Sequence, residues 1–364
     1  MKKHHLQFDY FLAATTGVLL ILGILILASV SANFSQEKFG RTTYYLFHQI
    51  LYGLVPGSVL GFVAYKIKIS YFRKLAWIFI LFNLILMILV FIPGLGIFSG
   101  GASRWINLGF TTFQPSEILK LSFIVYLSAW LANRADKKTS FLIPFLSVLA
   151  VMIVLLSLQS DLSTLVIIIA TAIVMFFLSN SSIWHNILLI LICGGGLSAL
   201  IKFAPYRMKR ILVFLNPDLD PMGMGYQISQ ILIAIGSGGI SGLGLGMSSQ
   251  RFGFIPQTMT DSIFAIFAEE TGFIGSLILI FLFLFFFWAG LRIAKRSKDK
   301  FTKLLVMGIS CWICLQGFIN IGAMISLLPL TGIPLPFISY GGSHLVSELI
   351  AVGVILNISK SNKK

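Results

Sequence analysis

Charge is what this chain has least of. Only 11% of its 364 residues are Asp, Glu, Lys or Arg, and 57% are hydrophobic, whereas a soluble domain carries about 25% charged residues. A water-soluble fold of this size has no way to hide that much apolar surface, so a soluble globular protein is excluded. Cysteine is equally scarce. Cys193, Cys311 and Cys314 all fall inside apolar runs, which excludes a disulfide framework. Cys311 and Cys314 have C-x-x-C spacing but no basic or His neighbour to make a thiolate, so redox chemistry is not expected there. The five histidines lack metal-ligand spacing. No small-residue cleavage site follows the first apolar run, which is therefore read as a retained span. The net charge of +15 does not indicate a nucleic-acid binder, because the basic residues sit in short clusters between apolar runs.

What the chain does have is long apolar runs, with a mean hydropathy of +0.95. A spanning helix needs about 20 mostly apolar residues. The sequence predicts an all-α polytopic membrane protein with ten spans, at about 10–31, 44–64, 75–96, 115–133, 141–158, 162–179, 186–204, 262–290, 303–327 and 338–358. An even count puts both termini on one side. Of the 27 Lys and Arg, 18 fall on that side, including Lys2, Lys3, Lys137, Lys138, Lys363 and Lys364, and 8 on the other, including Arg251. Both ends are thus expected to be cytoplasmic, with anionic lipid headgroups accounting for the inner basic excess. Two outer loops stand out, about 97–114 and 205–261, the second between spans seven and eight. Its alternating Ile228, Ile231, Leu232 and Ile235 predict an ordered, amphipathic segment on the outer membrane face. No second domain is expected.

Ionisable residues within spans are functional candidates by default. Here they are Glu117, Lys120, Glu269, Glu270 and Glu348, with Asp161 and Asp261 at span mouths. Glu117 and Lys120 are three apart, so they share a helix face. They are read either as a neutralised pair locking the fourth span or as an anion-handling pair at an outward cavity. Asp261, just before an apolar helix, is read either as an N-cap or as a general base at the membrane–water boundary, where desolvation lifts its pKa. Asp161, with Thr164 three residues on, reads first as a cap. Glu269 and Glu270 are read as loop anchors or as part of a cation site. Arg104-Trp105 is an outward Arg beside an interfacial Trp. The glycine run from Gly236 to Gly246 matches neither a P-loop nor G-x-G-x-x-G, leaving close backbone packing or anion contact as its uses.

Eight stretches in order, GASRWINLG (101–109), FQPSEILK (113–120), QSDLST (159–164), FLNPDLDPMGMGYQ (214–227), IAIGSGGISGLGLG (233–246), TDSIFAIFAEETGFIGS (260–276), NIG (320–322) and LPLTGIPLPFISYGGS (328–343), resemble the SEDS family. These are the shape, elongation, division and sporulation proteins, and the match looks closer to FtsW than to RodA. The resemblance implies an inverting peptidoglycan glycosyltransferase. It would polymerise lipid II, an undecaprenyl-diphosphate-linked disaccharide peptide, on the outer face of the bacterial cytoplasmic membrane, beside a class B penicillin-binding protein. It places the catalytic Asp on Asp261, the loop Trp on Trp105, the cavity residues on Gln114, Ser116, Glu117 and Lys120, and an acidic pair on Glu269 and Glu270.

The expected mechanism has Asp261 activating the 4-hydroxyl of the incoming sugar. Lys120, Arg104 and Arg210 would stabilise the departing diphosphate, and a divalent cation (Mg or Mn) is left open. Asp161, Thr164, Glu269, Glu270, Asn320 and Ser339 are the expected supporting residues. The chain departs from the family pattern at Ser160, Ser163, Gln257, Met259, His48 and His344. Two competing classes are a lipid II flippase, which places its site near the bilayer midplane, and a non-catalytic scaffold, in which changing Asp261 is silent.

Overall fold

A backbone in hydrocarbon must satisfy its own polar groups, and an apolar run of span length does so as a helix. The computed structural model describes residues 9–99, 102–109, 111–134, 142–179, 182–250 and 253–361. The terminal and loop charges Lys2, Lys3, Lys137, Lys138, Arg251, Lys363 and Lys364 lie outside the described residues. The chain runs α1 (Tyr10–Phe39), α2 (Tyr44–Gln49), α3 (Val55–Lys66), α4 (Ile69–Lys74) and α5 (Ala76–Leu89). Strands β1 (Gly96–Ser99), β2 (Ala102–Asn107) and β3 (Thr112–Phe113) follow, then α6 (Pro115–Arg134), α7 (Leu142–Leu158), α8 (Leu162–Leu178) and α9 (Ile183–Lys202). The second half holds α10 (Pro205–Leu215), α11 (Met224–Ser237), α12 (Ile263–Arg296), α13 (Lys300–Met324) and α14 (Gly342–Ser361).

Six helical stretches among the described residues are long and apolar enough to cross a bilayer: Tyr10–Phe39, Tyr44–Lys66, Ile183–Lys202, Ile263–Arg296, Lys300–Met324 and Gly342–Lys360. Three shorter apolar helices are α5, α7 and α8. The chain is a multi-pass membrane protein. Helix α13 is the hub, wrapped on nearly every side, with Trp312 fully buried at its centre.

The all-α expectation needs one correction. The loop before α6, expected on the outer side, folds as a three-stranded antiparallel sheet in the order β1-β2-β3. Ile97 pairs with Trp105 and Ile106 with Phe113. The third expected span also ends early, since α5 stops at Leu89 and the chain turns into β1. The last expected span begins at Gly342 rather than 338, because the chain behind Pro334 and Pro336 forms turns through Tyr340. Within the second span a single π-helical turn, Ile50–Leu54, precedes Pro56, which has no N–H to give the helix ladder.

The eighth expected span (262–290) is broken. Gly272 sits at φ 67 inside α12 and splits it into a short N-terminal piece and a long C-terminal one. The break frees backbone groups at membrane depth, and the glycine run meets them. Leu243 and Gly244 N–H donate to the carbonyls of Glu269 and Glu270 at 3.0 Å, while Phe273 and Ile274 N–H donate to Gly239 and Ile240 at 2.9 and 3.1 Å. A Cβ on Gly242, itself at φ 81, would lie 2.2 Å from the Glu270 carbonyl, so no side chain fits there. The run's use is therefore backbone-to-backbone packing.

Helices α3 and α14 meet through small residues, the usual means of close approach in a membrane. A Cβ on Gly353 would lie 2.1 Å from the Gly61 carbonyl. Gly353→Val is expected to force the two helices apart and abolish recovery of monodisperse, folded protein in detergent. Normal yield and melting temperature for that variant would show the contact to be loose.

Candidate functional site

The groups with chemistry gather at one end of the bundle, around the segment Leu328–Gly341 that links α13 to α14. This strap is the floor of the site. Its lack of regular structure is compensated by buried side chains on every side. Gln316 Nε2 donates to Pro334 O at 3.0 Å, and Asn320 Nδ2 to Ile333 O at 2.7 Å. Glu348 Oε2 accepts from Phe337 N at 2.8 Å, and Gln49 Oε1 from Gly341 N at 2.9 Å. Phe337 has φ 65, a left-handed conformation that costs a non-glycine residue energy and persists only where surroundings over-determine it. Glu348 supplies that restraint, with His344 Nδ1 3.5 Å from its other oxygen.

Asp261 lies at the end of the long loop before α12, against the strap. Its backbone carbonyl accepts from Asn320 Nδ2 at 2.7 Å, so one side chain staples Asp261 and the strap together. Ser339 Oγ adds a second tie by donating to Thr260 O. The carboxylate accepts from Thr260 Oγ1 at 3.1 Å and faces Gly332, where a Cβ would lie 3.7 Å from Oδ2. Ser262, not Asp261, holds the N-cap position of α12, so the geometry does not support a plain cap. Burial pushes the Asp261 pKa up to about 6, against the opposing pull of the Thr260 hydroxyl and the positive charge of Arg210.

On the far side of Gly332 is a groove of about 280 Å³ between α8, α9, α10 and the strap. It presents Arg104, Arg207 and Arg210 among apolar walls. Arg104 Nε donates to Gln159 O at 3.1 Å and its Nη2 to Ser160 O. Arg210 Nη1 donates to Leu330 O at 3.1 Å, and its guanidinium stacks 4.8 Å from the Tyr206 ring. Arg207 also lines a second, almost wholly apolar cavity of about 650 Å³ between α7, α8 and α9. Trp105, the next residue of β2 after Arg104, does not line the groove, because alternate strand residues face opposite sides.

Other candidate residues serve the scaffold. Gln114 Nε2 donates to Ser116 Oγ at 3.0 Å, and Ser116 Oγ to Asp161 Oδ2 at 3.0 Å. Asp161 Oδ1 in turn accepts from Thr164 N at 3.2 Å, capping α8. Together these four clasp the N-terminal ends of α6 and α8. Glu117 and Lys120 are a buried ion pair at 2.8 Å. Lys120 Nζ also donates to Gln316 Oε1 at 2.7 Å and lies 5.2 Å from the Trp312 ring. Both side chains are at most 5% exposed, and neither lines the groove. Lys120, expected to face a diphosphate, is instead turned toward Glu117, Gln316 and Trp312. The pair reaches the site indirectly, through Gln316 and Pro334.

The Glu269 side chain anchors the long loop, and that of Glu270 ties α12 to α1. Glu269 accepts from Ser248 Oγ and from Ser249 Oγ at 3.2 Å, and Glu270 from Ser29 Oγ at 2.7 Å. Among the described residues no group of three or more His, Cys, Asp or Glu could hold a metal ion. Among the described residues, no carboxylate lines the groove itself, and Asp261 faces it across Gly332.

Sequence reasoning missed Tyr206, Arg207, Thr331 and Gly332 of the groove, and the role of Gln316. Proline spacing in Leu328–Phe337 was the signal available for the strap. Arg207 and Tyr206 looked like any loop residues, since only α10 packing brings them to Arg210.

A model of the cell cycle protein family comprising FtsW, RodA and SpoVE matches residues 10–364. Stage V sporulation protein E of Bacillus subtilis (strain 168) is 38% identical over 360 residues, covering 98% of this chain and 98% of the relative. A protein of Nitrosococcus halophilus named probable peptidoglycan glycosyltransferase FtsW is 39% identical over 358 residues, covering 97% and 92%. In structure, a chain of a peptidoglycan synthase complex that coordinates polymerization and crosslinking superposes with a TM-score of 0.79 at 23% identity, covering 98% of this chain and 99% of that one. Thermus thermophilus rod shape determining protein RodA does so at 0.73 and 24%, covering 99% of each chain. The relatives place the sequence nearer FtsW and SpoVE, and the solved structures give it the RodA fold. With a full-length family match and near-complete coverage of relatives well above 30% identity, the chain belongs to the FtsW, RodA and SpoVE family of cell cycle proteins.

Proposed function

We propose that this protein is a peptidoglycan glycosyltransferase that joins lipid II units into glycan strands at the outer face of the cytoplasmic membrane. The activity is that named for its FtsW relatives. The observation that carries it here is a desolvated carboxylate, Asp261, facing Gly332 of a groove that bears Arg104, Arg207 and Arg210, with Arg207 also lining an apolar cavity.

Glycan elongation needs a base for a sugar hydroxyl, positive charge for a departing diphosphate, and room for a prenyl chain. Asp261 takes the proton from the 4-hydroxyl of one lipid-linked disaccharide as the oxygen attacks the anomeric carbon of the other. The C–O bond to the diphosphate breaks, and its charge is received by the groove arginines, Arg210 foremost. The apolar cavity between α7, α8 and α9 accepts the prenyl tail, with Arg207 at the junction of the two spaces. A single displacement inverts the anomeric centre. Glu117, Lys120, Gln316, Asn320 and Ser339 position the strap and loop around these steps, and Trp105 supports the outer sheet.

The membrane arrangement that suits this chemistry has ten spans: the six long apolar helices, α5, α7, α8 and α6. Both termini are cytoplasmic and the 205–261 loop is outside. The partner that suits it is a class B penicillin-binding protein supplying the crosslinking step, in keeping with the synthase complex whose chain shares this fold.

Reconstitution of the purified chain in vesicles with lipid II and such a partner tests the proposal. Glycan strands are the expected product. Translocation of lipid II without glycan formation would replace it with a flippase. Arg210→Ala is expected to raise KM about tenfold and lower kcat as well, since it removes both a groove cation and a charge next to Asp261; wild-type kinetics would take Arg210 out of the mechanism.

A further inference from the structure

His344, one of the positions at which the chain departs from the family pattern, is buried in the first turn of α14. Its ring lies beside Gly341, where a Cβ would come within 2.6 Å of Cδ2 and 2.9 Å of Nε2, so only glycine leaves it room. Nδ1 is 3.5 Å from Glu348 Oε1, one helical turn on. Among the described residues, both ring nitrogens and Glu348 Oε1 are buried without a hydrogen-bond partner. The other charges acting on the ring are Glu117 and Lys120 of α6. What Glu348 holds matters to the site. Its Oε2 accepts from Phe337 N at 2.8 Å, but the last torsion of a Glu side chain is soft, so one bond does not fix the carboxylate. The Phe337 turn also carries the strain of φ 65, and α1 presses on it: a Cβ on Gly23 would lie 2.3 Å from Phe337 O. In the same turn Ser339 Oγ accepts from Leu335 N at 2.7 Å and donates to Thr260 O, next to Asp261.

We infer that His344 is a positioning residue of the reaction: with a hydrogen on Nδ1 it holds the Glu348 carboxylate, and through Glu348 the turn of Phe337 and Ser339, so that Asp261 keeps its buried place. The inference rests on the glycosyltransferase reading and deepens it. A lone pair on Nδ1 would face the carboxylate and repel it, whereas an Nδ1–H is drawn to it, so the site selects that tautomer. Plain core filling accounts for the volume of the ring, and any apolar side chain of that size supplies it. It does not account for a carboxylate buried beside the ring, which is costly unless a donor meets it.

The test compares the full chain with His344→Leu, which removes the donor, and His344→Asn, whose amide nitrogen stands close to the place of Nδ1. Polymerisation of lipid II is followed against pH. His344→Leu is expected to lower kcat about tenfold with KM within about twofold of the parent. Its pH–rate inflection, set near 6 by the burial of Asp261, is expected to move down by about one pH unit as the loosened turn lets water reach that carboxylate. His344→Asn restores both. Equal loss in the Leu and Asn variants, or a lowered melting temperature with kcat and inflection unmoved, overturns the inference and leaves the ring as filling. The second measurement needs no variant to be active. In the spectrum of ¹⁵N-imidazole-labelled protein, the His344 signals, identified by their absence from His344→Asn, are expected to show hydrogen on Nδ1, and Glu348→Gln to shift the ring toward the Nε2–H tautomer. A bare Nδ1 in the parent, or a ring indifferent to Glu348→Gln, also overturns it. Should His344→Leu fail to fold, the near-isosteric Glu348→Gln carries the kinetic arm, with the same loss and the same movement of the inflection expected. If the parent makes no glycan while the Nδ1 hydrogen responds to Glu348→Gln, the glycosyltransferase reading falls and the hold of His344 on Glu348 stands.

Discussion

Asp261→Asn is expected to abolish glycan synthesis while leaving the protein folded and inserted. Loss of a positioned general base costs about 10²–10⁴ in rate, and the carboxamide has no basic lone pair to replace it. The variant keeps the Thr260 contact, because an amide oxygen still accepts, and the Asn320 staple, which uses the backbone carbonyl. It also sheds the cost of burying a charge. Burial lifts the Asp261 pKa to about 6, so between about pH 4 and 6 the folded protein holds a proton that the unfolded chain releases. Ionisation above that window therefore costs stability, and the Asn variant is expected to melt no lower than the parent at neutral pH. The same shift sets the activity profile. The base works only when ionised, so the rate should fall about tenfold per pH unit below about 6 and level off above it. Glycan-length analysis, thermal unfolding and a pH–rate curve check these points together. Wild-type polymerisation by the Asn variant would remove Asp261 from the chemistry and favour the scaffold reading.

Lys120→Ala is the second large effect, and it is an effect on the fold before it is one on catalysis. Lys120 is 1% exposed and meets Glu117, Gln316 and the Trp312 face. Removing it strands a buried carboxylate and leaves the Gln316 oxygen with Trp312 Nε1, at 2.9 Å, as its remaining donor; a buried pair that loses one member costs about 3–5 kcal/mol. The expected result is a sharp drop in melting temperature and in folded yield, with residual protein of lowered kcat because Gln316 no longer fixes Pro334. Replacing both members, Glu117→Gln with Lys120→Met, removes the stranded charge and should recover most of the stability. An unshifted melting temperature for Lys120→Ala would mean that the pair is not a lock. A raised KM with normal stability would instead return Lys120 to the substrate.

The two residues show how differently sequence signals behave. For Lys120, spacing alone established the partner, because residues three apart on a helix must share a face. Spacing had nothing to say about where that face points, and α13 decides it by closing over the pair with Trp312 and Gln316. For Asp261, position at the end of a long loop was enough to raise the base reading. The choice between base and cap needed the helix start, which falls one residue later than the sequence suggests. Arg104 and Arg210 were legible as outward cations. So was Arg207, but its place in the groove, and that of Gly332, were not, since separate elements far apart in the chain build that groove.

Membrane spanning, helical character and family were determined by the sequence itself. Apolar runs of span length have one low-energy form in lipid, and motif order is a linear property. The outer sheet, the break at Gly272 and the arginine groove were decided by tertiary structure. Each depends on backbone groups or charges far apart in the chain meeting one another: the Gly239–Gly244 run against the freed carbonyls of Glu269 and Glu270, and Arg210 against the strap that carries Gly332 to Asp261. Such encounters follow from how the helices pack, and no local pattern of residues encodes them.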